Sequence, residues 1–426
     1  MILSELQNKR IALWGMGREG KATLDFLRRE LPEQKYIIIN RDPWEGDETY
    51  IPEAELIDHL DQFDVVIKSP GISYYHDMVG KMFDRGITVT SATNIWFSLP
   101  KHGKVIAITG SNGKSTTSAL THHILKKLGY NAALGGNIGT PLLSLPLDAD
   151  YYVVELSSYQ TCDLKHAPDI AVLLNLFPEH IQWHRSHENY YRDKSNLLRL
   201  GAKVNIANAH EPRLADTKNK LTFNDRSKIH FENRIIYNGD MPVGGADKFP
   251  LLGDHNLENL CAALTILKAL GLVITECLKA SYSFQGLKHR LQVIGPIEGR
   301  MYVNDSISTD PEATIAALKA FPQKDITVIL GGEDRQQDYE ALCTLIDEND
   351  HIKAICVYET GPRIFEQLKT SHKFKAGTLE EAVTLARDIT PVGGYIVLSP
   401  ASPSYDAFRD FEERGDLFLE LAEKID

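Results

Sequence analysis

Cysteine is scarce and unorganised in this chain: five among 426 residues, odd in number, far apart and without a C-x-x-C pair. That pattern argues against a disulfide framework and against a cysteine-built zinc site, so the thiols are expected to be buried apolar groups. No stretch approaches the about 20 uninterrupted apolar residues that span a bilayer. Met1-Ile-Leu-Ser-Glu-Leu runs into a strand with no signal-peptide pattern, so a cytoplasmic chain without membrane insertion is expected. An excess of positive charge is missing too: 46 Lys and Arg face 58 Asp and Glu, for a net charge of −12. Nonspecific binding of a nucleic acid backbone is therefore not expected, although a local basic patch would still recruit an anionic small molecule. Short-period repeats and low-complexity tracts are absent.

What is present is a globular composition, 43% apolar and 24% charged, in a chain too long for one ordinary core. Its most informative stretch is Gly110-Ser-Asn-Gly113-Lys114-Ser115-Thr116, which follows the apolar run Val105-Ile-Ala-Ile-Thr109. A glycine-rich turn between strand and helix gathers backbone N–H groups and a helix dipole where the β- and γ-phosphates of a nucleotide sit. Lys114 would neutralise phosphate oxygens and Ser115 would hold Mg²⁺. The common G-x-x-x-x-G-K-[ST] form wants glycine at position 108, where Ile108 stands, so the loop is a shorter variant.

The pattern is α/β, with three domains expected. The first hundred residues alternate helical patterns with apolar runs at Arg10–Trp14, Tyr36–Asn40, Asp64–Lys68 and Ile87–Thr90. Gly15-Met-Gly17-Arg18-Glu19-Gly20 fits the G-x-G-x-x-G turn of a Rossmann-like domain, with Asn40, Arg41 and Asp42 ending the next strand. A break at Ser98-Leu-Pro-Lys-His-Gly103 opens a central P-loop ATPase-type domain, with strands at Tyr151–Glu155 and Ile170–Leu174. A less regular section follows from Asn205 to about Gly253, then a helix from Asn256 to Leu270. A turn at Gly286–Arg290 leads to a Rossmann-like third set with strands at Met301–Asn304, Ile326–Leu330, Ile352–Cys356 and Tyr395–Leu398. The expected domains are 1–97, 98–287 and 288–426.

Ligands of doubly wound sheets bind beyond the carboxyl ends of strands, which singles out polar residues following apolar runs. Glu155 ends one such strand beside the phosphate loop, where it would ligate Mg²⁺ with Ser115; alone it reads as a solvated or helix-capping acid. His180, in the loop after the next strand, and Lys194, on a helical pattern, are unremarkable when each is taken singly.

In combination these segments resemble the Mur ligase superfamily of ATP-dependent amide-bond synthetases along essentially the whole chain. The resemblance rests on Ser69-Pro-Gly71-Ile, Gly110–Thr116, Gly135-Gly-Asn137-Ile-Gly, Glu155-Leu-Ser-Ser158, His180, Tyr191-Arg-Asp-Lys194, Asp254-His-Asn256-Leu-Glu-Asn259, His289-Arg290, Asn304-Asp305-Ser306 and Leu398-Ser-Pro-Ala401, in that order. It implies a carbamate on Lys194. An ammonium about 4 Å from a divalent cation is repelled by about 8 kcal/mol at an effective dielectric of 20, whereas a carbamate offers an anionic oxygen. Two magnesium ions are implied, one near Ser115 and Glu155, the other near His180 and the modified Lys194. The resemblance also implies catalytic roles for Lys114, Lys194 and His180.

For ATP it implies contacts from Gly110, Ser111, Asn112, Gly113, Lys114, Ser115 and Thr116, from Asn256 and Asn259 around adenine and ribose, and from Arg290 and Asp305. The other substrate is implied to be UDP-N-acetylmuramoyl-L-alanine, held by Gly17, Arg18, Glu19, Asn40, Arg41, Ser69, Gly71, Asn137 and His180. Many relatives carry an acid where Asn40 stands. D-glutamate is the implied incoming amino acid, favoured by the compact first domain and the Ser-Pro-Ala-x-x-Ser segment ending at Ser404. Its candidates are Thr309, Arg335, Ser404 and the backbone N–H of Phe411; on its own, Ser404 reads as the N-cap of a helix containing Asp406 and Phe408. Two departures stand out: Arg335 where family members commonly have lysine, and Ile307 where many have lysine after Asn-Asp-Ser. A monomer is expected. Ligases adding another amino acid stay open within the family. Outside it, the first glycine turn permits an NAD-dependent oxidoreductase, which the second phosphate loop and the lack of a hydride-transfer constellation oppose. A noncatalytic nucleotide-binding regulator is opposed by Lys114, Glu155, His180 and Lys194.

Overall fold

The computed structural model describes residues 3–214, 220–251, 253–321 and 323–424. Two compact units form, Met1–Pro250 with Asp254–Phe284, and Leu251–Gly253 with Gln285–Asp426. The first unit contains two sheets. One is a five-stranded, all-parallel sheet in the spatial order Thr49–Pro52, Tyr36–Asn40, Ile11–Trp14, Val65–Lys68, Thr88–Ser91. Its central strand Ile11-Ala-Leu-Trp14 is buried at every position, as a strand covered on both faces requires. With the first strand in the middle, the order reverses there, and the crevice past its carboxyl end is where the glycine turn lies.

The other sheet has nine strands, with Lys104–Thr109 flanked by Tyr151–Glu155 on one side and Ile170–Leu173 on the other. One continuous apolar core, including Leu13, Trp96, Leu142, Leu143, Tyr152 and Val154, runs from the first sheet into the second. That shared core is why the two sheets belong to one compact unit. The section from 205 to 253 is more regular than its sequence implies: Val204–Asn208, Lys220–Phe223, Ile229–Glu232, Ile235–Asn238 and Met241–Gly245 extend the sheet to its edge. Past the buried Val204–Asn208, these strands are short and half-exposed, so their apolar pattern is weak. The hairpin between two of them turns on Asn233 and Arg234, both with positive φ (48° and 60°), a two-residue turn whose twist suits paired strands.

The second unit holds a six-stranded sheet, ordered Gln292–Ile297, Arg300–Asn304, Tyr395–Leu398, Ile326–Leu330, Ile352–Cys356, Lys373–Lys375, parallel except for the first pair. Its last helix, Phe411–Glu423, is capped by Asp410, whose carboxylate accepts from the Glu413 N–H at 2.9 Å. The residues before it, Ser404 to Phe408, form a turn rather than the expected helix, closed by Phe408 N–H donating to Ser404 O at 2.8 Å. From the helix, the buried guanidinium of Arg414 donates to Ser306 O (2.9 Å), Ser402 O (3.0 Å) and Pro403 O (3.2 Å). Burial pulls its pKa down to about 10, still protonated at neutral pH. One cation thus braces two loops at the carboxyl edge of the sheet.

His289 lies directly against Gly415 of the same helix; a Cβ there would stand 2.2 Å from His289 Nδ1, which accepts from Asn304 Nδ2 at 3.0 Å. Replacing a helical glycine with alanine normally gains about 1 kcal/mol. Here overpacking, at about 1–3 kcal/mol, outweighs that gain. Gly415→Ala is therefore expected to destabilise the protein, measured as a lower urea midpoint by circular dichroism; an unchanged or raised midpoint contradicts the packing described.

Candidate active site

The helix Lys114–Lys127 begins at Gly113, whose φ of 80° is left-handed and whose Cβ position would lie 2.3 Å from Asn259 Oδ1. Glycine is required there on both counts. Thr117 Oγ1 donates to the same Asn259 oxygen at 3.2 Å, and Asn259 Nδ2 donates to Asn256 Oδ1 at 3.3 Å. Asn259, on the buried helix Asp254–Ala269, therefore stands at the loop, with Asn256 bonded to it. Ser115 and Thr116 are buried in the first helical turn.

The loop is held from beneath by residues not singled out in the sequence. Asn175 takes its edge: Asn112 N–H donates to Asn175 Oδ1 (2.8 Å), Asn175 Nδ2 donates to Asn112 O (3.1 Å), and Ser111 N–H donates to Asn175 O (2.9 Å). Ser111 Oγ donates to Phe177 O and accepts from Phe177 N–H, with Tyr190 Oη at 2.6 Å. With its capacity filled in this way, Ser111 anchors the loop. The signal for Asn175 was its position just past an apolar strand.

Two lysines meet this loop. Lys114 Nζ donates to Ser111 O, and Lys194 Nζ donates to Gly110 O, each at 2.6 Å. Lys194 is 1% exposed and its ammonium also faces the Tyr190 ring at 5.1 Å. Burial holds the Lys194 amine well below the ordinary lysine value, and the nearby Lys114 cation adds to this, while Glu179 and Glu155 oppose it.

Glu155 ends a strand paired with the loop's own strand, opposite Ile108. It is fully buried; Oε1 accepts from Asn137 Nδ2 at 2.6 Å, and Oε2 is enclosed without a hydrogen-bond partner. An enclosed, unpartnered carboxylate oxygen beside a phosphate loop fits a cation. Among the described residues no group of three His, Cys, Asp or Glu forms a ready metal cage, so any cation draws on a mixed set of hydroxyl and carboxylate donors. His180 has left-handed backbone (φ 55°), is exposed, and packs against the Tyr159 ring at 5.2 Å.

The substrate candidates of the first sheet divide. Gly17 and Gly71 are open, with nothing near their Cβ positions, and Arg41 is exposed. Arg18 reaches the Asn137 carbonyl at 3.5 Å, joining the glycine turn to the Gly-Gly-Asn loop. Asn40 closes the turn instead of projecting from it: Oδ1 accepts from Met16 N–H at 3.1 Å. Ser69 Oγ donates to Gly15 O. Glu19 points inward, with Gln160 Nε2 at 3.4 Å from Oε2 and Oε1 unpartnered. Burial pushes its pKa up to about 7, against the pull of Lys68.

Within the second unit, the expected residues gather beyond the carboxyl ends of its strands. Asp305 is buried and its oxygens are engaged by Leu291 N–H (2.9 Å), Ser308 Oγ (2.6 Å) and Ser399 Oγ (2.8 Å). Burial pushes its pKa up to about 6 against those bonds. Arg290 leaves its enclosed Nε unpartnered. Thr309 O accepts from Gln337 Nε2 at 3.0 Å, which ties it to the loop carrying Arg335. Arg335 pairs with Glu333 at 2.9 Å and faces the Tyr405 ring at 5.6 Å. Ser404 is buried, and Phe411 begins a helix whose carbonyl accepts from Ser306 Oγ at 2.8 Å.

Residues 108–267 match the Mur ligase middle domain, and residues 289–402 match the Mur ligase glutamate ligase domain. A protein of Xanthomonas euvesicatoria pv. vesicatoria is 37% identical over 99% of this chain and 97% of its own length, and one of Salinispora tropica is 37% identical over 99% and 98%. Both carry the name UDP-N-acetylmuramoyl-L-alanine--L-glutamate ligase. Among solved structures, UDP-N-acetylmuramate-alanine ligase MurC of Thermotoga maritima superposes with a TM-score of 0.61 at 18% identity, covering 97% of this chain and 99% of that one. MurF ligase of Thermotoga maritima, in complex with ADP, gives 0.58 at 18% identity, covering 99% and 97%. Two matched domains, relatives aligned from end to end and a three-sheet α/β architecture together make this chain a member of the Mur ligase family of ATP-dependent, amide-bond-forming enzymes.

Proposed function

We propose that this chain joins glutamate to UDP-N-acetylmuramoyl-L-alanine at the expense of ATP, in cytoplasmic peptidoglycan precursor synthesis, and works as a monomer. The observation that carries the reading is the phosphate loop with Lys114, the unpartnered Glu155 oxygen and the buried Lys194 converging on it. The three sheets are taken as three domains, 1–97 for the UDP substrate, 98–287 for ATP and 288–426 for the amino acid.

ATP phosphorylates the L-alanine carboxylate; the γ-phosphoryl leaves ADP, and an acyl phosphate forms. The amine of glutamate then attacks the acyl carbon, phosphate departs with the bonding electron pair, the nitrogen gives up its surplus proton to the departing phosphate or to water, and the amide remains. Two anions must meet in the first step, so the chain's task is to neutralise and align. Lys114 and the first N–H groups of the helix at Gly113 supply positive potential at the phosphates. Asn256 and Asn259 hold the nucleoside end, and Arg290 and Asp305 are further nucleotide candidates. Magnesium held by Ser115 and Glu155, with a second ion by His180 and a carbamate on Lys194, would supply Lewis-acid charge neutralisation. Glutamate is assigned to Thr309, Arg335, Ser404 and the Phe411 N–H; Arg335 keeps the charge of the family's lysine and can grip a carboxylate through two donors.

The enantiomer of glutamate is the finer point. The motif resemblance implies D-glutamate, whereas the relatives aligned over the whole chain are named for L-glutamate. We therefore assign the L form. Phosphate release from ATP, measured with UDP-N-acetylmuramoyl-L-alanine and each of L-glutamate, D-glutamate, L-alanine and a diamino acid, is expected to need L-glutamate. Turnover with D-glutamate alone reverses the stereochemical assignment, and turnover with neither overturns the glutamate reading.

Lys114→Ala and Glu155→Gln are expected to lower kcat about 100-fold or more, the scale for removing one preorganised charge from a transition state. Steady-state kinetics across a magnesium series checks this. For Glu155→Gln the midpoint of the series should also move to higher magnesium; wild-type rates in either variant contradict the assignment.

A further inference from the structure

Each of the three residues assigned to metal in the first unit, beyond the loop serine, has a close companion in sequence. Ser158 follows Glu155 by three, His184 follows His180 by four, and Asp193 precedes Lys194. The companions are bonded to one another in the interior. His184 Nδ1 lies 2.7 Å from Asp193 Oδ2, and His184 Nε2 lies 2.9 Å from Ser158 Oγ. His184 is 0% exposed and Asp193 is 3% exposed. Tyr75, from the loop after Val65–Lys68 in the five-stranded sheet, places its hydroxyl 2.8 Å from both Asp193 oxygens. Arg192 in turn donates to Tyr75 Oη at 2.6 Å. Arginine only donates and a tyrosine hydroxyl carries a single proton, so Arg192 donates to Tyr75 and Tyr75 to Asp193, while His184 meets the same carboxyl group from the other side.

The segment so held has little intrinsic reason to stay in place. Ile181–His184 is a single helical turn, flanked by His180 and Arg185, both left-handed without being glycine. Such backbone persists only where its surroundings over-determine it. Those surroundings include the five-stranded sheet: Trp183 Nε1 donates to Pro70 O (3.2 Å) and Gly71 O (3.1 Å), and Ser73 Oγ donates to Trp183 O (2.6 Å).

We propose that Tyr75, His184, Asp193 and Ser158 are positioning residues, fixing Glu155, His180 and Lys194 relative to one another and linking that placement to the loop at 69–75 of the sheet assigned to the UDP substrate. The inference rests on the metal assignment under the proposed function and deepens it. Partners that orient metal ligands are worth about 10–100-fold in metal affinity when removed, whereas a purely architectural network would affect stability and leave affinity alone.

The test is Mn²⁺ binding in the presence of ADP and bicarbonate, followed by the electron paramagnetic resonance of free Mn²⁺, with ADP affinity measured separately without metal. Wild-type protein should retain Mn²⁺ beyond what ADP alone holds. Asp193→Asn should weaken Mn²⁺ binding about 10–100-fold. Tyr75→Phe should weaken it in the same direction, with ADP affinity unchanged in both. Lys203→Ala, which removes an exposed ion pair to Asp169 away from this network, should match wild type. If Asp193→Asn does not fold, Tyr75→Phe decides. Lower melting temperatures with wild-type Mn²⁺ affinity in the folded variants overturn the inference while the metal assignment stands. A wild-type protein that adds nothing to the binding by ADP overturns the metal assignment itself, and the inference with it.

Discussion

The site is built around a lysine buried where a charge is costly. Lys194 carries its amine into the interior and sets it on the Gly110 carbonyl, at the base of the loop meant for phosphates. Removing an ammonium from water costs several kcal/mol, and one backbone oxygen with carboxylates nearby offsets only part of it. The surroundings answer by favouring the uncharged amine, through burial first and the neighbouring Lys114 second. An uncharged amine is a nucleophile, the form that the carbamate proposed on Lys194 requires. The rest of the loop's architecture keeps this arrangement in register: Asn175 along its edge, Ser111 anchored to Phe177 and Tyr190, and Gly113 closed against Asn259.

Much of this was legible because a few residues carry steep constraints. Gly113 and Lys114 after an apolar strand announce a phosphate loop, since few other sequences satisfy a left-handed turn, a helix start and a cation together. Buried parallel strands such as Tyr151–Glu155 and Ile326–Leu330 read directly, because both faces demand apolar residues. The strands between 220 and 245 did not, because they are short, half-exposed and interrupted by polar hairpin turns. Ser404, which taken alone has the identity of a helix cap, opens a turn instead, while the cap of the following helix is Asp410.

The supporting residues of the site were harder to see, for a physical reason. Asn175, His184, Asp193 and Arg414 each have a partner distant in sequence, Asn112, Ser158, Tyr75 and Ser306 respectively, which no local pattern announces. Asn40 and Glu19 show the converse. Their positions suggest ligand contacts, yet Asn40 spends its amide on the glycine turn and Glu19 faces inward. In the second unit, Arg414 satisfies the carbonyls of Ser306, Ser402 and Pro403 and so ties the two loops that carry them.

The most direct test of the account asks what Lys194 becomes in the working enzyme. Protein incubated with ¹³C-labelled bicarbonate and examined by ¹³C NMR should show one carbamate carbon that disappears in Lys194→Ala. An active wild-type enzyme with no such resonance at saturating bicarbonate would contradict the account, leaving Lys194 a buried amine and the proposed second cation without its ligand.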